Sequence, residues 1–513
     1  MQILAVQTVF LIIVSCNVFV GNITATKLND NPLLLLISFG GFRYDLLNET
    51  LVPHIWKFAS EGVNFVEGIK PQFPPLTVPN HATIATGLTV EQHGLVANRF
   101  YDQAQQMMYD VMNITQTPNV VKNSLNSRFY KGEPIWLTNQ NAGEKRGSAI
   151  FRWPAGNGHY SGIAGKLKYF KPYTQSGSLA QWKTDLDEII QLFTVDNRTV
   201  NFAAWYVGQL ENVFPNYGFR KAKLLETLQN LDELFAYTAS KLEDLPELKE
   251  RLNIILTADH GYAEVVSRKN VLCLADYVDM TKIQYGDHML YVKDSVARAK
   301  IYETLKTAIL ADKLKIEIYK KNDIPARYHY STSSYIGDII LIPNVGYMIQ
   351  ERCSKDEASD KFPLATAGLD SNHWTMRSML IMKGPAFKKQ RKITSIVDNV
   401  ALYSLMSYVL GVFEAANNGS LNCFIPALAL PSTEYAWLQA DETKFITIAL
   451  TAIVPVALLV SLFLLWITEW ICQESAETKH DYQCVSQDPI NTATHRHQCN
   501  SGFINNSSSE DEL

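Results

Sequence analysis

The chain has 513 residues, with 51 acidic side chains against 46 basic ones and a formal net charge of -5. That near-balance argues against a nucleic-acid-binding protein, which needs a concentrated basic surface. With 47% hydrophobic and 11% aromatic residues, the chain can bury a large core, and disorder is excluded as its dominant state.

Residues 1–21 are apolar through ILAVQTVFLIIV and end in small residues, the pattern of a secretory signal peptide. From Leu33 apolar strands alternate with amphipathic helices. LLLLISF (33–39), NFAAWYV (201–207) and NIILTA (253–258) are short continuous apolar runs of the kind that parallel strands covered on both faces require. Between the last two, Leu224, Leu225, Leu228, Leu231, Leu234 and Phe235 recur at helical spacing, and residues 397–410 repeat that pattern. This alternation predicts one α/β domain over 22–423, with a central, mostly parallel sheet between helices. A stretch from 424 to 444, with Pro426 and Pro431, reads as a stalk. Residues 445–468 are almost wholly apolar and long enough for one transmembrane helix, so 469–513 becomes a cytoplasmic tail. The expected topology is single-pass type I in the cell membrane. It suits the sequons at Asn22, Asn48, Asn113, Asn197 and Asn418, which make the outer part a glycoprotein. Outside the membrane stand Cys273, Cys353 and Cys423, enough for one disulfide with one thiol left over. In the tail, Tyr482 heads a Tyr-x-x-apolar tetrapeptide of the endocytic type.

In open α/β sheets chemistry collects beyond the carboxyl ends of the strands. TADHG (257–261) places Asp259 and His260 directly after a strand, where they can ligate a metal or form a structural pair. In PLTVPNHATIATG (75–87), Thr77 precedes a helix expected from His81. Its hydroxyl would meet the unsatisfied N–H groups that suit an anion, with ordinary capping by Thr77 or Asn80 as the alternative.

Taken in order, PLTVPNHATIATGL, HGLVANRFYD, PIWLTNQ, TADHG, the Asn-His at 372–373 and GPAF resemble the ectonucleotide pyrophosphatase/phosphodiesterase family of the alkaline phosphatase superfamily, from about Leu33 to Ser420. The resemblance implies two zinc ions and a threonine nucleophile. Thr77 would form the phosphothreonine, and Asn98 would stabilise the phosphoryl oxygens. Asp259, His260 and His373 would be metal ligands, Tyr173 would stack on a nucleobase, and the ligand would be an extracellular nucleotide or other phosphodiester. Departures from the family pattern are as informative. The first strand ends in Gly40 where the family has a zinc-binding Asp. The family's Glu-Pro-Asp-x-x-Gly-His segment is here WYVGQLENVFPNYGF (205–219). One alignment puts Glu211 at the Asp and Pro215 at the His, and the other puts Leu210 and Phe214 there. The aromatic after the nucleophile is Val78, and the late motif continues Trp374-Thr375-Met376-Arg377. Glu211, or Asp370 near His373, could replace a lost ligand. The expected outcome is a depleted metal set and a pseudoenzyme used for extracellular binding or recognition. The alternative is a metal-dependent phosphodiesterase acting through Thr77.

Overall fold

The computed structural model describes residues 32–112, 129–156, 167, 169–174, 177–194, 200–219, 221–353, 363–430 and 459–468. In chain order the elements that matter are β1 (Leu33–Phe39), α1 (Pro53–Glu61), β2 (Val63–Phe65), α2 (Thr77–Thr86), α3 (Ile135–Asn141), β3 (Gly147–Phe151), β4 (Tyr169–Lys171), α4 (Leu179–Thr194), β5 (Val200–Val207), α5 (Gln209–Tyr217), α6 (Lys221–Glu243) and β6 (Leu252–Thr257). A smaller unit follows, with β7 (Gln284–Gly286), β8 (Met289–Tyr291), α7 (Ser295–Ala311), β9 (Ile316–Lys320) and β10 (Ile339–Pro343). The chain then returns through β11 (Leu380–Lys383), β12 (Arg391–Ile393) and α8 (Leu402–Leu410).

The main sheet has the order β12-β2-β11-β6-β1-β5-β3-β4. All its pairings are parallel except those of β11, which runs antiparallel to both β6 and β2, so the sheet is mixed. The period-2 alternation of a strand explains why β1 is apolar at every position but Ser38: Leu34 and Leu36 enter one core, and Leu33, Leu35, Ile37 and Phe39 enter the other. Helices α2, α3 and α8 cover the first face, and α1, α4 and α6 cover the second. Each fully buried leucine contributes about 1.5–3 kcal/mol, so the central strand alone supplies much of what closes both layers. In α6, Leu224, Leu228, Leu231, Leu234 and Phe235 are buried as their spacing predicts, whereas Leu225 is turned outward.

The smaller unit was not foreseen. Its strands form an antiparallel sheet, β7-β8-β10-β9, and α7 closes a separate core around Leu290, Ile301, Leu305, Ile339 and Leu341. Cys273 and Cys353 are joined in a disulfide and Cys423 is a free thiol, one of the pairings that the cysteine count allowed.

Three boundaries differ from expectation. Helix α2 begins at Thr77 instead of His81, because Pro79 fits the first turn of a helix, where no N–H is needed. In 397–410 only Leu402–Leu410 is α-helical; Val397–Asp398 pairs as a short strand with Ile69–Lys70. The first part of the supposed stalk belongs to the core. Phe424, Ala427 and Leu428 are fully buried, and Phe424 packs edge-on to Phe65 at 5.8 Å.

By its contacts the chain divides into Met1–Leu438 and Gln439–Leu513. Of the second part, residues 459–468 form a helical stretch with exposed leucines. No helix among the described residues is long and apolar enough to cross a membrane. The predicted signal peptide, most of the predicted span, the tail and Asn22, Asn113 and Asn197 lie outside the described residues. Asn418 is exposed and Asn48 is half-buried.

Asn80 fastens the loop that leads into α2. Its amide nitrogen is shared among the carbonyls of Gln72, Pro74 and Leu76, and its oxygen accepts from the Gln72 N–H and from Asn399. Asn80→Ala would strand several buried polar groups, each costing about 1–3 kcal/mol, so a loss of about 3 kcal/mol in urea unfolding is expected.

Candidate active site

The register of β1 against its two neighbours sets the site. Ser38 is paired with Tyr206 of β5 and with Thr257 of β6, so Gly40–Gly41, Gly208 and Ala258–Asp259 emerge side by side at the carboxyl edge. Asp259 is fully buried there. Its Oδ1 accepts from the Gly41 N–H at 2.8 Å and the His260 N–H at 2.9 Å. Its Oδ2 has no hydrogen-bond partner, with His260 Nε2 at 3.4 Å and His81 Nδ1 at 3.6 Å. His260 Nδ1 lies 2.9 Å from the Gly261 carbonyl. A carbonyl can only accept, so Nδ1 carries a hydrogen and Nε2 is the nitrogen turned towards Asp259 and Thr77.

Thr77 is the first residue of α2, where the opening N–H groups lack helical partners. Its hydroxyl donates to Glu211 Oε1 at 2.5 Å and lies 3.4 Å from His260 Nε2. Asn98 Oδ1 accepts the Val78 N–H at 2.8 Å, which puts the Asn98 amide beside the helix start. Below them His81 is fully buried. Its Nδ1 donates to the Thr77 carbonyl at 2.7 Å and its Nε2 lies 2.9 Å from Ser38 Oγ. Burial depresses the His81 pKa, so the neutral ring accepts from Ser38 and ties the end of β1 to the first turn of α2.

Glu211 arrives from the first turn of α5, and its carboxyl, Asp259 and His260 offer ligand atoms within 4.8 Å of one another, all buried. Burial, and then the nearby Asp259 carboxylate, push Glu211 well above the usual carboxylate range. Burial also works against the Asp259 charge, but the neighbouring His260, the Nδ1–H of His81 3.6 Å away and the Gly41 N–H outweigh it and hold Asp259 below its usual value. Charge is therefore favoured on Asp259 and disfavoured on Glu211. Two carboxyls, an imidazole whose far nitrogen is anchored on a backbone carbonyl, and an orphaned buried oxygen fit a hard or borderline divalent cation.

The model of the type I phosphodiesterase / nucleotide pyrophosphatase family matches residues 34–370. The chain belongs to this family. It falls within the alkaline phosphatase superfamily. The chain is 33% identical over 415 residues to the mouse bis(5'-adenosyl)-triphosphatase enpp4, covering 79% of this chain and 84% of that one. It is 28% identical over 439 residues to human ectonucleotide pyrophosphatase/phosphodiesterase family member 5, covering 81% and 83%. An inactive form of murine ectonucleotide pyrophosphatase/phosphodiesterase 5 in complex with AMP superposes with a TM-score of 0.68 at 26% identity, covering 78% of this chain and all of that one.

Within this family frame, the structure gathers some predicted residues and separates others. Thr77, Asn98, Glu211, Asp259 and His260 converge. Of the two alignments through 205–219, the geometry selects the one with Glu211, since Leu210 and Phe214 are buried among apolar side chains. His373 joins no group of potential ligands among the described residues. Its Nδ1 accepts the Thr375 N–H and caps a short 3-10 turn, Trp374–Met376. Asp370 is committed to Arg327 at 2.7 and 2.9 Å and to Tyr328, so it is no substitute ligand. Tyr173 is buried, its ring tilted against Tyr206 at 5.8 Å.

Tyr206 is the residue that sequence reasoning missed. A Cβ at Gly40 would lie 2.7 Å from both Cε2 and Oη of Tyr206, and one at Gly208 would lie 2.3 Å from Oη. The ring stands edge-on to His81 at 4.9 Å, and its hydroxyl faces Glu211 without hydrogen-bond geometry to it. A tyrosine thus fills the volume that a side chain at position 40 would need. The alternation in NFAAWYV puts Tyr206 on the same face as Phe202 and Ala204, but not its reach to Gly40.

Two outcomes follow from this packing. Gly40→Ala should cost about 1–3 kcal/mol by overpacking, and Tyr206→Ala should relieve it, so a double-mutant cycle of melting temperatures will be strongly non-additive. Glu211, with its folded pKa raised, contributes stability that is complete below its ordinary value of 4.5 and is lost as pH rises through the folded value. Chelator-treated protein should therefore melt at falling temperature as pH is raised above the ordinary Glu211 value of 4.5. Glu211→Gln should flatten that slope, and added divalent cation should reverse it by displacing the proton.

Proposed function

We propose that this protein is a membrane-anchored extracellular member of the family that binds nucleotide phosphate esters and hydrolyses them very slowly or not at all, its main task being recognition. The observation that carries this reading is Tyr206 standing where a carboxylate at position 40 would project, with no room for that side chain. Support also comes from Pro215 in the position of the second family histidine, and from His373 spending its Nδ1 on a cap.

The retained residues have a coherent binding role. The first-turn N–H groups of α2 and the Asn98 amide would hold phosphoryl oxygens, and Thr77 would face the phosphorus. A divalent ion, zinc by family resemblance, would be held by Glu211, Asp259 and His260 and would supply Lewis-acid charge and a lowered hydroxyl pKa. Two-ion phosphoryl chemistry also needs a second clamp on the transferring group, and the side chains for that clamp are not assembled among the described residues. The printed names of relatives, a bis(5'-adenosyl)-triphosphatase and a complex with AMP, make an adenine nucleotide the first ligand to try. The Tyr173 ring, buried against Tyr206, would offer a base only an edge.

A second reading, a one-ion phosphodiesterase, is favoured by the 2.5 Å contact between the Thr77 hydroxyl and Glu211. Hydrolysis of a nitrophenyl nucleotide ester, run beside metal analysis, decides between them. We expect no more than one bound divalent ion, and turnover on the order of 10³-fold or more below that of a two-ion relative. Thr77→Ala should leave this background unchanged. Thr77-dependent turnover together with two bound ions would overturn the proposal.

A further inference from the structure

At the opposite edge of the main sheet lies a second cavity that the family chemistry does not use. Arg146 sits immediately before β3, at the amino end of a parallel strand, whereas the site above lies beyond the carboxyl ends. Strand length puts the two on the order of 20 Å apart.

Arg146 is only 8% exposed. Its Nη1 donates to the Leu410 carbonyl, at the end of α8, at 2.9 Å and to Asn139 Oδ1 at 3.3 Å. No carboxylate pairs with it among the described residues. Burial lowers its pKa with no acidic neighbour offsetting the cost. A guanidinium has five N–H donors, and two contacts on one nitrogen leave most of the fork unspent. A buried cation without a counter-charge is expensive, and a protein meets that cost with an anion.

The space in front of it suits one. Arg146 contributes to the lining of a cavity of about 810 Å³, large enough for a small organic ligand. Lys145 adds a second cation on the rim, while Glu133 and Glu144 bring the charge of the lining back to balance, which disfavours polyanions. The same lining includes Phe413, 94% exposed just after α8. A ring so exposed gains nothing from the fold, but gives the apolar part of a ligand a surface to stack on.

We propose that this cavity is a second binding site, for a small organic anion that carries one carboxylate or phosphate monoester on an aromatic body. The oxyanion is held by the fork of Arg146 and the ring is laid on Phe413. The site is independent of the Thr77 cleft.

A single fluorine label tests this. With Phe413→4-fluorophenylalanine in the full chain, benzoate and AMP are titrated separately, and the fluorine resonance is followed with and without Thr77→Ala. A saturable shift that persists in Thr77→Ala and weakens at least about tenfold in Arg146→Lys, which keeps the charge but loses the fork, is the expected result. Response to both probes assigns any aromatic oxyanion, to AMP alone a phosphate monoester, and to benzoate alone a carboxylate. Should Arg146→Lys fail to fold, Phe413→Ala, a change to an exposed ring, is compared with the natural protein by calorimetric titration of the responding probe, and weaker binding is expected. No saturable shift with either probe up to about 10 mM, or an affinity unchanged by these substitutions, would overturn the proposal.

Discussion

The lateral register of β1 between β5 and β6 is the constraint on which the site rests. Because Ser38 pairs with Tyr206 on one side and Thr257 on the other, three chain reversals start at one level. Asp259 can then take an N–H from Gly41 across the sheet, and Ser38 can reach His81 under α2. A slip of one residue would exchange the two faces of the strand, carry Ser38 into the other core and away from His81, and be resisted by two close-packed interiors. The fold thus holds the helix that begins at Thr77, the acid pair and the glycine turns in one frame.

That frame is electrostatically costly. Two carboxyls and two imidazoles are buried together at Glu211, Asp259, His81 and His260, and the fold manages them by division of labour. Asp259 keeps its charge because backbone N–H groups and histidines surround it, and Glu211 gives its charge up because burial and Asp259 oppose it. An arrangement with one carboxylate oxygen unsatisfied and an imidazole anchored through its far nitrogen is better suited to a cation than to an empty interior. The loss of the carboxylate at position 40 leaves no hole, because Tyr206 occupies it. The departure from the family pattern is therefore a packed state, consistent with the interior of a folded domain rather than a gap in one.

Strand and helix assignments around the main sheet were legible because doubly buried strands and one-sided helices have distinct hydrophobic periods. The antiparallel unit built on β8, β9 and β10 was not legible, because runs as short as IEIYK and DIILIP cannot be told from buried helix segments by periodicity alone. The core role of Phe424 and Leu428 was hidden by neighbouring prolines that read as a linker. The choice between Glu211 and Leu210 could not be made from spacing alone, and it took the burial of Leu210 and the Thr77 contact to make it.

By itself the amino-acid order determined the α/β class, the family, the identity of Thr77, Asp259 and His260, and which cysteines could pair. These are local facts, carried by period, motif and count. Only the tertiary structure decided that Glu211 joins them, that His373 turns to a capping task, and that Tyr206 closes the space beside Gly40. Two of those outcomes depend on contacts between residues far apart in the chain, Thr77 with Glu211 and Gly40 with Tyr206, and the third on which way the His373 ring turns. Such contacts follow from sheet register and side-chain packing, for which no short stretch of sequence carries a signal.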